Sequence, residues 1–278
     1  MKINKCVITI AGMGTRMLPI TKTVTKEMLP IVDVPTIFLQ VKEAYLSGIK
    51  EIIFVVSRKN VKLIKSFFTH DYKLIKEIKD NKEKLNLLNE VNEIINNMKF
   101  NYVIQKEKGT YGALWSARKY LINETFALMY GDDLIDSNTP VLKQLIEEHE
   151  RTNDLVVGAK TYDYDKLPKF GVIEYKEENI LENISYKPNN PKKYDIIQGR
   201  FILNSNIFKL KNQLEYHGGE LQLPTSLLLL KENIRVLLYE GTYFNIGSKL
   251  GYLKANIYYG FKRKDIKEEL ENFIESKK

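Results

Sequence analysis

Up to Glu150, short apolar runs alternate with segments whose apolar residues recur every three or four positions. Residues 6–11, 52–56, 102–105 and 126–130 read as buried strands: short, rich in β-branched and aromatic residues, and bounded by glycine or polar positions. Residues 37–48 read as a helix, with Ile37, Val41, Ala44 and Tyr45 on one face and Gly48 at a natural C-terminus. Residues 59–68, the stretch after Gly109 to Tyr120, and residues 141–150 read the same way. The charged, amphipathic stretch 72–98 reads as solvated surface helices.

Beyond Glu150 the rhythm shortens. Residues 155–159, 171–175, 184–187 and 196–203 read as shorter strands joined by polar turns, and 250–259 and 264–276 as amphipathic helices. Tyr252, Leu253, Ile257 and Tyr258 form the apolar stripe of the first of these. The alternation in the first part predicts an α/β fold with a doubly wound, mostly parallel, Rossmann-like sheet. The strand-rich second part is expected over the carboxyl ends of the first part's strands, where open α/β sheets bind ligands. No repeat or linker interrupts the chain, so residues 1–278 read as one domain with parts of about 1–150, 151–250 and 250–278.

Composition narrows the function classes. Hydrophobic residues make up 44% and charged residues 28%, a globular balance. The net charge of +8 comes from 43 Lys and Arg spread among 35 Asp and Glu. Without an arginine-rich block or aromatic stacking motif, this points to a lysine-rich surface and an anionic substrate rather than to nucleic acid. Cys6 is the one cysteine, so no internal disulfide forms, which fits a reducing cytosol. No leader and no apolar run of the ~18–20 residues needed to cross a bilayer is visible, so no membrane association is expected.

The chemistry concentrates in residues 8–35, ITIAGMGTRMLPITKTVTKEMLPIVDVP. The first strand ends in Ala11, Gly12 and Gly14, followed by Thr15 and Arg16. Such a turn lets backbone N–H groups approach phosphate oxygens, and arginine adds a cationic fork. Lys22 and Lys26 follow on a segment expected to be extended between Pro19 and Pro30. The spacing matches neither G-x-x-x-x-G-K-[ST] nor G-x-G-x-x-G. Glycine loop, arginine and lysine together suggest a nucleoside triphosphate site.

The string AGMGTRMLP...TKEMLPIVDVP resembles the signature of nucleotidyltransferases that activate sugar 1-phosphates, and within them it looks most like that of the bacterial UTP–glucose-1-phosphate uridylyltransferases. The resemblance runs from about Lys5 to about Ala255 and implies UTP and glucose 1-phosphate as substrates, Mg2+ as cofactor, a cytoplasmic location and a homodimer or homotetramer. It also implies residue roles. Arg16 and Lys26 would face phosphates and Asp132, in Gly131-Asp132-Asp133, would hold the metal. Gln105 would read the uracil edge, with Gly109 in the loop around the base. Gly171 and Glu220 would meet the sugar, and Lys187 would grip the sugar phosphate.

The departures are as specific. Asn245 stands where the family usually has an aspartate that is the second metal ligand. Tyr186 replaces a glutamate, Val34 a lysine, Thr25 a proline, Ile10 an alanine, and Pro224-Thr225-Ser226 a usual Thr-Asp-Ala. Asparagine keeps an oxygen and loses a charge, so weaker metal binding is expected. Three readings stay open: the uridylyltransferase, the same chemistry with another sugar or base, and a silent relative that binds nucleotide sugar as a regulatory subunit.

Overall fold

A computed structural model describes residues 2–162, 172–185 and 194–277. Its strands are β1 (Lys5–Ile10), β2 (Pro30–Ile31), β3 (Val34–Pro35), β4 (Glu51–Val56), β5 (Lys99–Ile104), β6 (Thr125–Tyr130), β7 (Asp133–Asp136), β8 (Leu155–Tyr162), β9 (Val172–Lys176), β10 (Ile180–Ser185), β11 (Tyr194–Asn204), β12 (Ile234–Leu238) and β13 (Thr242–Asn245). Its helices are α1 (Thr36–Leu46), α2 (Val61–Phe67), α3 (Tyr72–Ile78), α4 (Lys82–Asn97), α5 (Thr110–Ala117), α6 (Val141–Thr152), α7 (Leu223–Leu227), α8 (Lys249–Lys262) and α9 (Lys267–Glu275).

Nine strands form one sheet in the order β5-β4-β1-β6-β11-β8-β12-β10-β9. The first four are parallel and in continuous register, as the strand–helix alternation predicts. β4, β1 and β6 are buried on both faces, which is why they read as unbroken apolar runs, while β5 lies at the partly exposed edge. On β1, Cys6, Ile8 and Ile10 join the core under α1 and α6, while Val7 joins the core under α5.

The second half corrects the expectation of a mostly parallel sheet. β11 runs antiparallel to β6 and β8, and β10 antiparallel to β12 and β9, leaving β12–β8 as the parallel pair there. These strands extend the same sheet instead of forming a layer above it. β9 also pairs with β11, so β11-β8-β12-β10-β9 closes into a ring of five strands.

Several elements differ from their sequence reading. Residues 15–28 are not extended but make three short turns of 3-10 helix, at Thr15–Met17, Ile20–Lys22 and Lys26–Met28. α4 is not wholly solvated, since Ile94 is buried in the core and Val91 packs against it. Leu253 faces solvent, and the inner side of α8 is Ala255 with Tyr252, Tyr258 and Tyr259. β7 and β13, with no pattern that distinguished them from loops, pair as a two-stranded antiparallel ribbon packed on α8. No helix among the described residues is long and apolar enough to cross a membrane.

Candidate active site

The glycine turn leaves β1 at its carboxyl end. Gly14 adopts φ +65°, and its carbonyl accepts from the Thr21 hydroxyl at 2.8 Å and from Met17 N–H at 2.9 Å. A β-carbon at Gly14 would also lie 3.0 Å from Thr21. Glycine is therefore required here by the turn itself. The turn folds the chain back so that Lys26 returns beneath Gly12.

Lys26 is buried, and its Nζ lies 2.5 Å from Asp132 Oδ2 and 3.8 Å from Glu27 Oε1. Burial works against its charge, but Asp132 and Glu27 outweigh that and hold its pKa above the ordinary lysine value. Glu27 is itself fully enclosed and accepts from the Thr25 hydroxyl. Burial pushes its pKa up to about 7 against the pull of Lys26. Arg16, largely exposed, brings Nη2 to 3.7 Å from the same Asp132 oxygen. Two cations from the glycine segment thus converge on one carboxylate at the end of β6.

Asn245 reaches this point from the ribbon. In the β7–β13 register it stands opposite Asp133, and Ile246 N–H donates to the Asp132 carbonyl at 3.0 Å. Its Oδ1 is buried without a hydrogen-bond partner. A β-carbon at Gly247 would sit 2.7 Å from Asp132 Oδ2, 2.8 Å from Arg16 Nη2 and 3.2 Å from Asn245 Oδ1. The three polar atoms converge on one small space that any side chain at 247 would fill. An orphaned amide oxygen beside a carboxylate is a donor set for a hard cation. No group of three or more His, Cys, Asp or Glu among the described residues makes a self-sufficient metal cage. Asp132 and Asn245 therefore fit a cation that arrives with further oxygen ligands of its own.

Two contiguous cavities open here, sharing Thr110, Tyr130 and Asp132. The smaller, about 240 Å³, is lined by Ala11, Gly12, Lys26, Gln105, Gly109 and Glu220, among others. The larger, about 860 Å³, is lined by Arg16, Asp132 and Asn245 and walled by Ile184, Ile196, Ile197 and Phe201. The second half of the chain thus contributes one side of the crevice from the ring. Neither cavity is lined by Gly14 or Thr15, whose part is to make the turn. Gly171 and Lys187, with Tyr186, lie outside the described residues.

Gln105 donates its amide N–H to the carbonyls of Glu107 at 2.6 Å and Gly109 at 3.3 Å, which shapes its own loop. Gly109 has φ +89°, and a β-carbon there would lie 2.2 Å from the Leu221 carbonyl oxygen. The same carbonyl accepts from Tyr111 N–H, and Lys108 C=O accepts from Leu221 N–H. The segment carrying Glu220 is therefore stitched to the Gln105 loop, and Gln222 donates to the Glu220 carboxylate at 3.1 Å.

Beneath the site lies a network that the sequence reading missed. Arg200 is completely buried and donates to Glu43 through Nε at 2.9 Å and Nη2 at 2.7 Å. It also donates to the Gln40 amide oxygen and to the carbonyls of Gly199 and Asp133. Glu43 further accepts from Leu142 N–H, the start of α6. An arginine inside the apolar run 196–203, and Gln40 and Glu43 on the same face of α1 as Ile37 and Val41, were the available clues.

The nucleotidyl transferase family model matches residues 5–260. The chain belongs to the nucleotidyl transferase family. It is 38% identical over 285 residues to a UTP–glucose-1-phosphate uridylyltransferase of Mycoplasma genitalium, covering 97% of each chain. Among solved structures it is similar to a UDP-glucose pyrophosphorylase complexed with UDP-glucose (33% identity, TM-score 0.83, 94% of this chain and 100% of the other). It is also similar to a UTP-bound UDP-glucose pyrophosphorylase from Acinetobacter baumannii (26% identity, TM-score 0.86, 98% of both chains).

Proposed function

We propose that this chain is a UTP–glucose-1-phosphate uridylyltransferase that makes UDP-glucose and diphosphate by in-line attack of the sugar phosphate on the α-phosphate of UTP. The observation that carries this reading is the convergence of Lys26, Arg16 and Asn245 on Asp132, at the seam of two cavities large enough together for a nucleotide and a sugar. The full-length relatives named for this reaction support it.

Phosphoryl and nucleotidyl transfer need positioning and charge more than covalent chemistry. Lys26, hydrogen-bonded to Asp132, and Arg16, 3.7 Å from the same oxygen, are placed to turn to triphosphate oxygens and stabilise the leaving diphosphate. Glu27, buried 3.8 Å from the Lys26 ammonium, stays behind beside the base of that side chain. Ala11, Gly12 and the Gln105–Gly109 loop form the nucleotide side. Gln105 has its amide N–H engaged within the loop, which leaves Oε1 to accept from the base. Glu220 reaches the sugar hydroxyls, and by resemblance Gly171 meets the sugar and Lys187 grips its phosphate. Asp132 and Asn245 would hold a divalent cation, magnesium in this reading, which when bound supplies charge neutralisation on the triphosphate. By the same resemblance the enzyme works in the cytoplasm as a homodimer or homotetramer.

The test is diphosphate release across a panel of nucleoside triphosphates and sugar 1-phosphates. UTP with glucose 1-phosphate should give the highest kcat/KM, and Asp132→Asn should lower it by about a hundredfold or more. Preference for another base or sugar would keep the chemistry and replace the substrate. UDP-glucose binding without turnover on any pair would establish the silent relative instead.

A further inference from the structure

Asp133 follows Asp132, is buried in the wall of the larger cavity, and is held from three elements. Its carbonyl accepts from Gln40 Nε2 of α1 at 2.8 Å and from Arg200 Nη2 of β11 at 3.0 Å. Its carboxylate accepts from the Tyr243 hydroxyl of β13 at 2.6 Å. The other carboxylate oxygen lies against the irregular step of β11, where a β-carbon at Gly199 would be 2.3 Å away.

In the ribbon, Asp133 is directly opposite Asn245, and Tyr243 lies two residues earlier on the same strand. Side chains alternate along a strand, so Tyr243 and Asn245 share the face that meets Asp133. The hydroxyl–carboxylate bond is thus a diagonal tie across the ribbon. It sets how far β13 advances along β7, and hence where Asn245 Oδ1 sits relative to Asp132. β13 has four residues, and one missing tie in so short a strand leaves its end free to shift.

We propose that Asp133 and Tyr243 are positioning residues that deliver the orphaned oxygen of Asn245 to the space Asp132 faces. The inference rests on the reading of Asp132 and Asn245 as cation ligands. It assigns a task to two side chains that line the inner wall of the larger cavity and are bonded to each other rather than offered as cation ligands. Residues that orient metal ligands commonly change affinity by about tenfold or more when removed.

The probe is Mn2+ binding to the enzyme–UTP complex, followed by electron paramagnetic resonance without sugar phosphate so that no turnover occurs. Tyr243→Phe, which deletes one oxygen, should weaken Mn2+ about tenfold, while the KM for glucose 1-phosphate stays within about twofold. Asp133→Asn retains an acceptor for the hydroxyl and should stay close to the unaltered protein. Tyr243→Phe combined with Asp133→Asn should be no worse than Tyr243→Phe alone, because the two act through one bond. Asn245→Asp should tighten Mn2+, and adding Tyr243→Phe should abolish most of that gain.

If Tyr243→Phe lowers the Tm but leaves Mn2+ affinity unchanged, while Asp132→Asn abolishes it, the tie is structural only and the inference is overturned. If Asp132→Asn binds Mn2+ like the unaltered protein, the metal reading itself fails, a different result from loss of positioning. Asp133→Ala is not needed for the decision, so its failure to fold would change nothing.

Discussion

Two buried ionic clusters lie close together, and they are built on opposite terms. Around Arg200 each nitrogen of the guanidinium donates, the Glu43 carboxylate accepts from the arginine and from a helix start, and the charges balance. Around Lys26 one ammonium faces two carboxylates, Arg16 stands a long 3.7 Å off, and the neighbouring Asn245 oxygen has no partner. The first cluster is satisfied and joins α1, α6 and β11 into a base. The second leaves polar groups incompletely used, and that surplus is what a substrate can bind. Satisfied buried charges specify structure, whereas perturbed and under-satisfied ones in a cleft mark function.

The sharpest way to break this contrast is Arg200→Met. It leaves Glu43 buried without its partner and should cost about 3–5 kcal/mol of stability, read from denaturant unfolding. Adding Glu43→Gln should recover part of the loss, since the uncompensated charge goes with it. If Arg200→Met unfolds at the same denaturant concentration as the unaltered protein, the cluster is not the base described.

Lys26→Met should invert the pattern. Activity should fall by about 10²–10³-fold in kcat/KM for UTP, the scale of a lost transition-state cation. Stability should change far less than in Arg200→Met, because Glu27 can take up a proton once its neighbour is gone. Comparable stability losses for the two variants would erase the distinction between base and site.

The smallest effect sharpens the comparison through pH. Glu27 carries a pKa raised from the ordinary 4.5 to about 7. Between those values the folded protein binds more protons at this group than the unfolded chain, so this contribution is fully present below about pH 4.5 and is lost as pH rises through about 7. Glu27→Gln should therefore flatten the fall in stability across that window relative to the unaltered protein. Parallel stability–pH curves for the two would show that Glu27 is not strained by its burial.

β1, β4 and β6 were legible because burial on both faces leaves short, unbroken apolar runs bounded by glycine or polar residues. The glycine turn and its two cations were legible because Gly12, Gly14, Arg16 and Lys26 sit close in sequence. Lys26 was placed at the site, but its partner Glu27 was not singled out, since nothing in Lys26-Glu27-Met28 says which charge turns inward. Gly109 was read as part of a base loop, and its φ and its closeness to Leu221 show an architectural need for glycine there. Arg200, Gln40 and Asp133 come from three distant segments, and their meeting depends on the antiparallel return of β11. β13 escaped because its four residues gain their strand geometry from β7 and not from a pattern of their own.

The ring of five strands also bears on how the molecule behaves in a crowded solution. β9 pairs along its length with β10 and, at Val172 and Ile173, with β11, so among the described residues the edge of the nine-stranded sheet left unpaired along its whole length is β5. An open edge is a template on which a foreign strand can add. Here that edge is blunted: Lys99 and Asn101 alternate with the inward Phe100 and Tyr102, and both polar side chains are drawn to Glu51. The far side of the sheet is protected by closure and the near side by charge, so the long sheet that carries the site offers little purchase for aggregation.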